Sequence, residues 1–268
     1  MITTVLAAVL ALVSGGDERP NTALAPIGPW RVSTDENGNC ALSRSYGEAD
    51  QPVATMFQAT PGQRMMQAFV LARDNGGGAR AGKAMLTLSP GQAIAADYTS
   101  SKVPDSDQRL TTFATDVAVF DGLATAETVT FMSDTGLTIA IRNGQGAITA
   151  FDACQAKRLA SWGLDPNLFA RGKPMPTPVS SPATWFTADA YPAAARYNNL
   201  SGRVVALLTV GEDGLVKGCR AVVSAGKVLD TATCDLAIRN GRFTPAHDAT
   251  GKAVTSWSIV PVNWSLSG

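Results

Sequence analysis

Several residue patterns in this 268-residue chain have the outline of a known chemistry. Gly77-x-x-x-x-Gly82-Lys83-Ala84 has the spacing of a phosphate-cradling loop, but Ala84 stands where a Ser or Thr hydroxyl must hold magnesium. Its surroundings also read as a hairpin, not as a strand feeding a helix. Ser224-x-x-Lys227 has the spacing of a β-lactamase nucleophile pair, without a Ser-Asp-Asn or Lys-Thr-Gly companion. His247 is the one histidine, and a serine or cysteine hydrolase would have to use it as base. It falls in the turn from Pro245 to Gly251, and no Gly-x-Ser-x-Gly elbow exists. Asp105 and Asp107 lie in a polar stretch and read as surface. One histidine and no CxxC spacing leave little for zinc or thioredoxin-like redox work. The expectation is a protein that is not an enzyme and holds no cofactor and no metal.

The balance of 22 Lys+Arg against 22 Asp+Glu argues against nucleic acid, whose phosphates call for an excess of positive charge. It equally weakens a polybasic membrane-surface role. Residues Met1 to Val13 form an apolar run of about a dozen residues, short of the roughly 20 that span a bilayer. Small residues Ser14, Gly15 and Gly16 follow, so residues 1–25 read as a secretory signal, with a retained short anchor as the alternative. Export predicts a periplasmic protein and gives the four cysteines, Cys40, Cys154, Cys219 and Cys234, a compartment in which disulfides persist.

Five prolines, at 166, 174, 176, 178 and 182, mark residues 164–184 as an extended linker. It separates a β-rich block, 29–163, from a smaller one, 185–268. In the first block, Trp30–Val32 and Cys40–Leu42 flank an Asn37-Gly38 turn. Gln67–Ala72 and Ala84–Leu88 flank a Gly-rich stretch and are expected to pair across it, as are Thr128–Met132 and Gly136–Ile141. Ala147 to Trp162 has helical apolar spacing, with Cys154 near the buried stripe. Strands first and a docked helix last is an α+β plan, and it resembles small periplasmic domains of the invasion-associated-locus-B type without a motif that carries a function across.

In the second block, Gly202–Val210 and Leu215–Val223 read as strands joined by a Gly211-Glu212-Asp213-Gly214 turn. Val228–Asn240 reads as a helix stopped at Gly241, and Trp257–Leu266 as a final strand. Four cysteines allow three connectivities. The division into blocks favours Cys40–Cys154 and Cys219–Cys234, each tying a helix to strands.

The order Tyr191-Pro192, Gly202-x-Val204, Asp213-Gly214, Leu229-Asp230, Phe243-x-Pro245-Ala246, Gly251 and Val260-Pro261-Val262-Asn263-Trp264 resembles the C-terminal domain of TonB-family energy transducers. The resemblance implies a small β-β-α-β domain whose final strand pairs with an extended receptor segment, the TonB box. By strand addition, the exposed edge would lie within Ser256–Ser265. Trp257, Ile259, Val260, Val262 and Trp264 are the candidate partner-binding residues. The implied partner is an outer-membrane receptor peptide or another periplasmic protein, in the service of transport across the outer membrane. The alternative is a structural or assembly protein that dimerises through the same edge. A transducer also has a membrane helix and a long spacer. Here the linker of about 22 residues reaches at most about 70 Å, which favours a soluble relative that binds without transducing.

Overall fold

The computed structural model describes residues 22–35, 39–133 and 136–266. The signal or anchor reading of Met1–Val13 and the Asn37-Gly38 turn lie outside these residues. No helix among the described residues is long and apolar enough to cross a membrane.

The N-terminal block contains nine strands and two helices: β1 (Pro26–Thr34), β2 (Cys40–Tyr46), β3 (Val53–Ala59), β4 (Met65–Arg73), β5 (Arg80–Ser89), β6 (Ala93–Lys102), β7 (Gln108–Asp116), α1 (Ala118–Thr125), β8 (Thr128–Met132), β9 (Gly136–Ala140) and α2 (Gly144–Ser161). They form one sheet in the order β1-β2-β3-β4-β7-β6-β5-β8-β9. Its two end strands meet: just before β1, the Leu24 N–H donates to the Thr138 carbonyl at 2.8 Å, and Ala140 N–H donates back to Leu24 at 2.9 Å. A single bridge between Leu24 and Ile139 thus links the two ends of the sheet. Period-two alternation sends Ala84, Leu86 and Leu88 of β5 inward while Lys83 and Met85 face out. Phe131 sits between Phe57 and Phe113 in this core, with ring centroids 6.1 and 5.3 Å away. The helices pack on it through Phe120 and Phe151, stacked at 4.4 Å. Cys154 on α2 is bonded to Cys40 at the start of β2.

The expected β4–β5 hairpin does not form. β4 pairs with β3 and β7, and β5 with β6 and β8. The Gly-rich stretch between them is gathered by a residue far along the chain: the buried Arg109 guanidinium donates to the carbonyls of Gly76, Gly77 and Gly78 and to Asp74. That cation fixes a crossing segment where composition alone suggests a tight turn.

Residues 164–184 are laid against both blocks, which corrects the expectation of an extended spacer. Leu164 is buried between the blocks, Pro166–Phe169 and Pro182–Trp185 are single 3-10 turns, and β10 (Thr177–Pro178) pairs with β13 (Phe243–Thr244). The rest of the C-terminal block comprises α3 (Ala193–Tyr197), β11 (Gly202–Val210), β12 (Val216–Val223), α4 (Lys227–Asn240), β14 (Ala246–His247), β15 (Ala253–Val254) and β16 (Ser256–Trp264). Its sheet has the order β12-β11-β16, so β11 is central. β11 contains the unbroken apolar run Val204–Leu208, the pattern of a strand covered on both faces. One face, Val204, Ala206, Leu208 and Val210, packs under α4. The other, Val205 and Leu207, meets Leu159 and Trp162 at the end of α2.

Candidate functional site: the outer edge of the last strand

β16 pairs residue for residue with β11, from Gly202 opposite Trp264 to Val210 opposite Ser256, and with no other strand of its sheet. In an antiparallel ladder alternate residues turn both their N–H and C=O to the same neighbour. The Ile259 N–H points away from β11, toward the Gly62 carbonyl, so Trp257, Ile259, Pro261 and Asn263 carry the outward groups. Pro261 falls on an outward position, where its missing N–H costs the β11 ladder nothing.

The side chains of the five candidate residues divide differently. Val260, Val262 and Trp264 face α4 and are buried in the core. Ile259 is fully buried on the opposite face, and Trp257 on that face is half-buried. As side chains, four of the five hold the strand in place and do not reach outward; what β16 presents at its edge is backbone.

Some of the residues that carry the motif order hold this strand and others brace the rest of the block. The Trp264 indole N–H donates to the Thr233 hydroxyl at 2.9 Å, and that hydroxyl donates to the Leu229 carbonyl at 2.8 Å within α4. Tyr191 packs edge-on against Trp264, centroids 5.1 Å apart, while its hydroxyl donates to the Leu200 carbonyl. Asp230 accepts from the Ala225 N–H and the Ser224 hydroxyl, bracing the start of α4. Gly214, at φ +74°, brings its carbonyl onto the Phe243 N–H at 3.0 Å. An added Cβ there would run into the Phe243 carbonyl oxygen, so the Asp213-Gly214 turn and the Phe243 strand are in direct contact. The Lys217 ammonium and the Leu215 N–H hold the Asp213 carboxyl below the usual carboxylate range. Cys219 of β12 is bonded to Cys234 of α4, as the division into blocks predicts.

The chemical decoys take ordinary structural places. Lys83 sits in β5, ion-paired with Asp97 across to β6. Ser224 gives its hydroxyl to Asp230. His247 is exposed in β14, and beside it the Thr250 hydroxyl, then backbone N–H groups of Lys252 and Thr250, lower the Asp248 pKa. No group of three or more His, Cys, Asp or Glu side chains among the described residues is placed to hold a metal. A cleft of about 880 Å³ opens between the blocks, with Phe120, Phe151 and Phe169 in its lining and Pro245 and His247 opposite. Arg171 bridges Asp152 and Asp121 there, and burial, opposed by Arg171, raises the Asp152 pKa.

A three-stranded antiparallel sheet backed by one helix, with its last strand at an edge, places this block among small α+β sheet-edge modules. Residues 187–266 match the sequence model of the family described as Gram-negative bacterial TonB protein C-terminal, and this block is a TonB-type C-terminal domain. No curated protein and no solved structure matches the chain.

Proposed function

We propose that the chain is a periplasmic TonB-like protein whose C-terminal block recognises an extended peptide of an outer-membrane receptor, of the TonB-box type, by adding it as a fourth strand along β16. The observation that carries this is that, among the described residues, β16 pairs only with β11, leaving the N–H groups of Trp257, Ile259 and Asn263, and the C=O groups of these three and of Pro261, directed outward. Main-chain hydrogen bonds give such an interaction its affinity. Val260, Val262 and Trp264 contribute by fixing the strand against α4, and Trp257 offers a half-exposed side chain beside the outward backbone. Recognition of backbone calls for no net charge, no metal and no nucleophile. The function served is transport across the outer membrane, through binding of that peptide.

The test is amide hydrogen exchange of the full chain with and without receptor TonB-box peptides. The expected outcome is slowed exchange at 257, 259 and 263, the outward amides of β16. Absence of protection at millimolar peptide, together with concentration-dependent dimerisation that protects the same amides, would replace this reading with edge-to-edge assembly of two copies.

A further inference from the structure

The outer edge of β16 is covered at its middle by the other half of the molecule. The turn between β3 and β4 brings the Gly62 carbonyl to 3.4 Å from the Ile259 N–H. Gly62 has φ +72°, and a Cβ there would come within 2.6 Å of the Phe169 ring and 2.9 Å of the Ile259 side chain. The turn backbone therefore rests closely against the strand, at a left-handed position that favours glycine. Around Ile259, the buried side chains of Leu159, Trp162, Leu164 and Val205 close an apolar cluster. A second tie lies nearby: Arg203 Nη2 donates to Asn39 Oδ1 at 3.3 Å, and the Thr60 hydroxyl donates to the same oxygen at 2.9 Å.

An added strand lies about 4.8 Å from its neighbour and sets a carbonyl on each outward N–H. The Gly62 carbonyl already holds that place at Ile259, so the turn and an incoming peptide exclude one another. We infer that the N-terminal block is a built-in competitor for the peptide edge: the Thr60–Gly62 turn and the end of α2 cap β16, and an extended peptide pairs across Ile259 only when the two blocks part. The inference rests on β16 being the peptide edge. A hydrogen bond of 3.4 Å is a weak one, so the hold of this latch resides in the apolar cluster. Apparent peptide affinity is then the intrinsic affinity reduced by the fraction of molecules in which the cluster is open.

Leu159 lies in the cluster and not on β16, so Leu159→Asp and the milder Leu159→Ala loosen the cap without touching the edge. In the full chain, a synthetic receptor TonB-box peptide should bind Leu159→Asp at least about tenfold more tightly than the unaltered protein, with Leu159→Ala between. In the unaltered protein, bound peptide should speed amide exchange over 60–64 while slowing it over 257–263. Equal affinity in all three proteins, with 257–263 protected and 60–64 unchanged, would overturn the competitor and leave the peptide edge standing. No binding by a Leu159→Asp protein whose α4 amides remain protected would remove the peptide edge, and the competitor with it. Should Leu159→Asp fail to fold, exchange at 60–64 in the unaltered protein decides the matter.

Discussion

Two glycines of the C-terminal motif set look alike in sequence and differ in what surrounds them. Gly214 and Gly251 both adopt left-handed backbone, at φ +74° and +82°. At Gly251 nothing lies within 4 Å of an added Cβ, so Gly251→Ala incurs only the left-handed conformation, about 1–2 kcal/mol. At Gly214 the same methyl meets the Phe243 carbonyl oxygen. Relief requires the turn to withdraw from β13, which forfeits the Phe243 N–H to Gly214 bond and the bridge between Leu215 and Arg242. At about 1 kcal/mol for each of the two backbone bonds of that bridge, Gly214→Ala should cost about 3–4 kcal/mol in all. The assay is urea unfolding of the full chain, read by hydrogen exchange of the α4 amides so that only this block reports. A gap of about 2 kcal/mol or more is expected between the two variants. Equal losses, or a larger loss at Gly251, would refute the claim that turn and strand are held in contact by the absence of a side chain.

The Arg109 guanidinium beside Asp74, chiefly through its hydrogen bond, lowers the Asp74 pKa. A lowered folded pKa contributes stability that is present above the usual carboxylate value and lost as pH falls through the folded one. Asp74→Asn should therefore flatten the decline of melting temperature below about pH 4; identical profiles would count against the pair. For the disulfides, the chain-entropy account ranks Cys40–Cys154, separated by 114 residues, above Cys219–Cys234, separated by 15. Paired Cys→Ala replacements should cost up to about 4–5 and about 3 kcal/mol respectively, measured by urea unfolding. The reverse order would assign the stabilisation to something other than loop closure.

The C-terminal block was legible because its signals are local. Gly202 and the Asp213-Gly214 turn bracket β-branched runs, and β11, β12, α4 and β16 fall within two residues of the bounds those runs predict. That β11 is covered on both faces, by α4 on one and by the end of α2 on the other, came only from the structure. The division of roles along β16 follows from period-two alternation, but alternation alone does not say which parity faces α4. In the N-terminal block, α2 was legible from its apolar spacing. α1 was not: it has eight residues, with Val119 and Thr125 among them and no side-chain cap, and burial of Val119, Phe120 and Leu123 holds it in place. The β4–β5 crossing and the cap over Ile259 were illegible for one shared reason. Each depends on a contact with a residue dozens to hundreds of positions away, Arg109 in one case and Gly62 in the other, and no local pattern encodes the meeting.

The linker has a consequence that its prolines alone do not reveal. Folded down at Pro166–Phe169, stitched to β13 at Thr177–Pro178 and anchored by the buried Trp185, it is held at three points along its length. Peeled free, the stretch from 165 to 184 would span about 60 Å at about 3.1 Å per residue, and its prolines would keep it outstretched. The molecule thus carries folded-away length, let out only if its halves separate. The separation inferred to bare the strand would thus also let the C-terminal block range far from the N-terminal one.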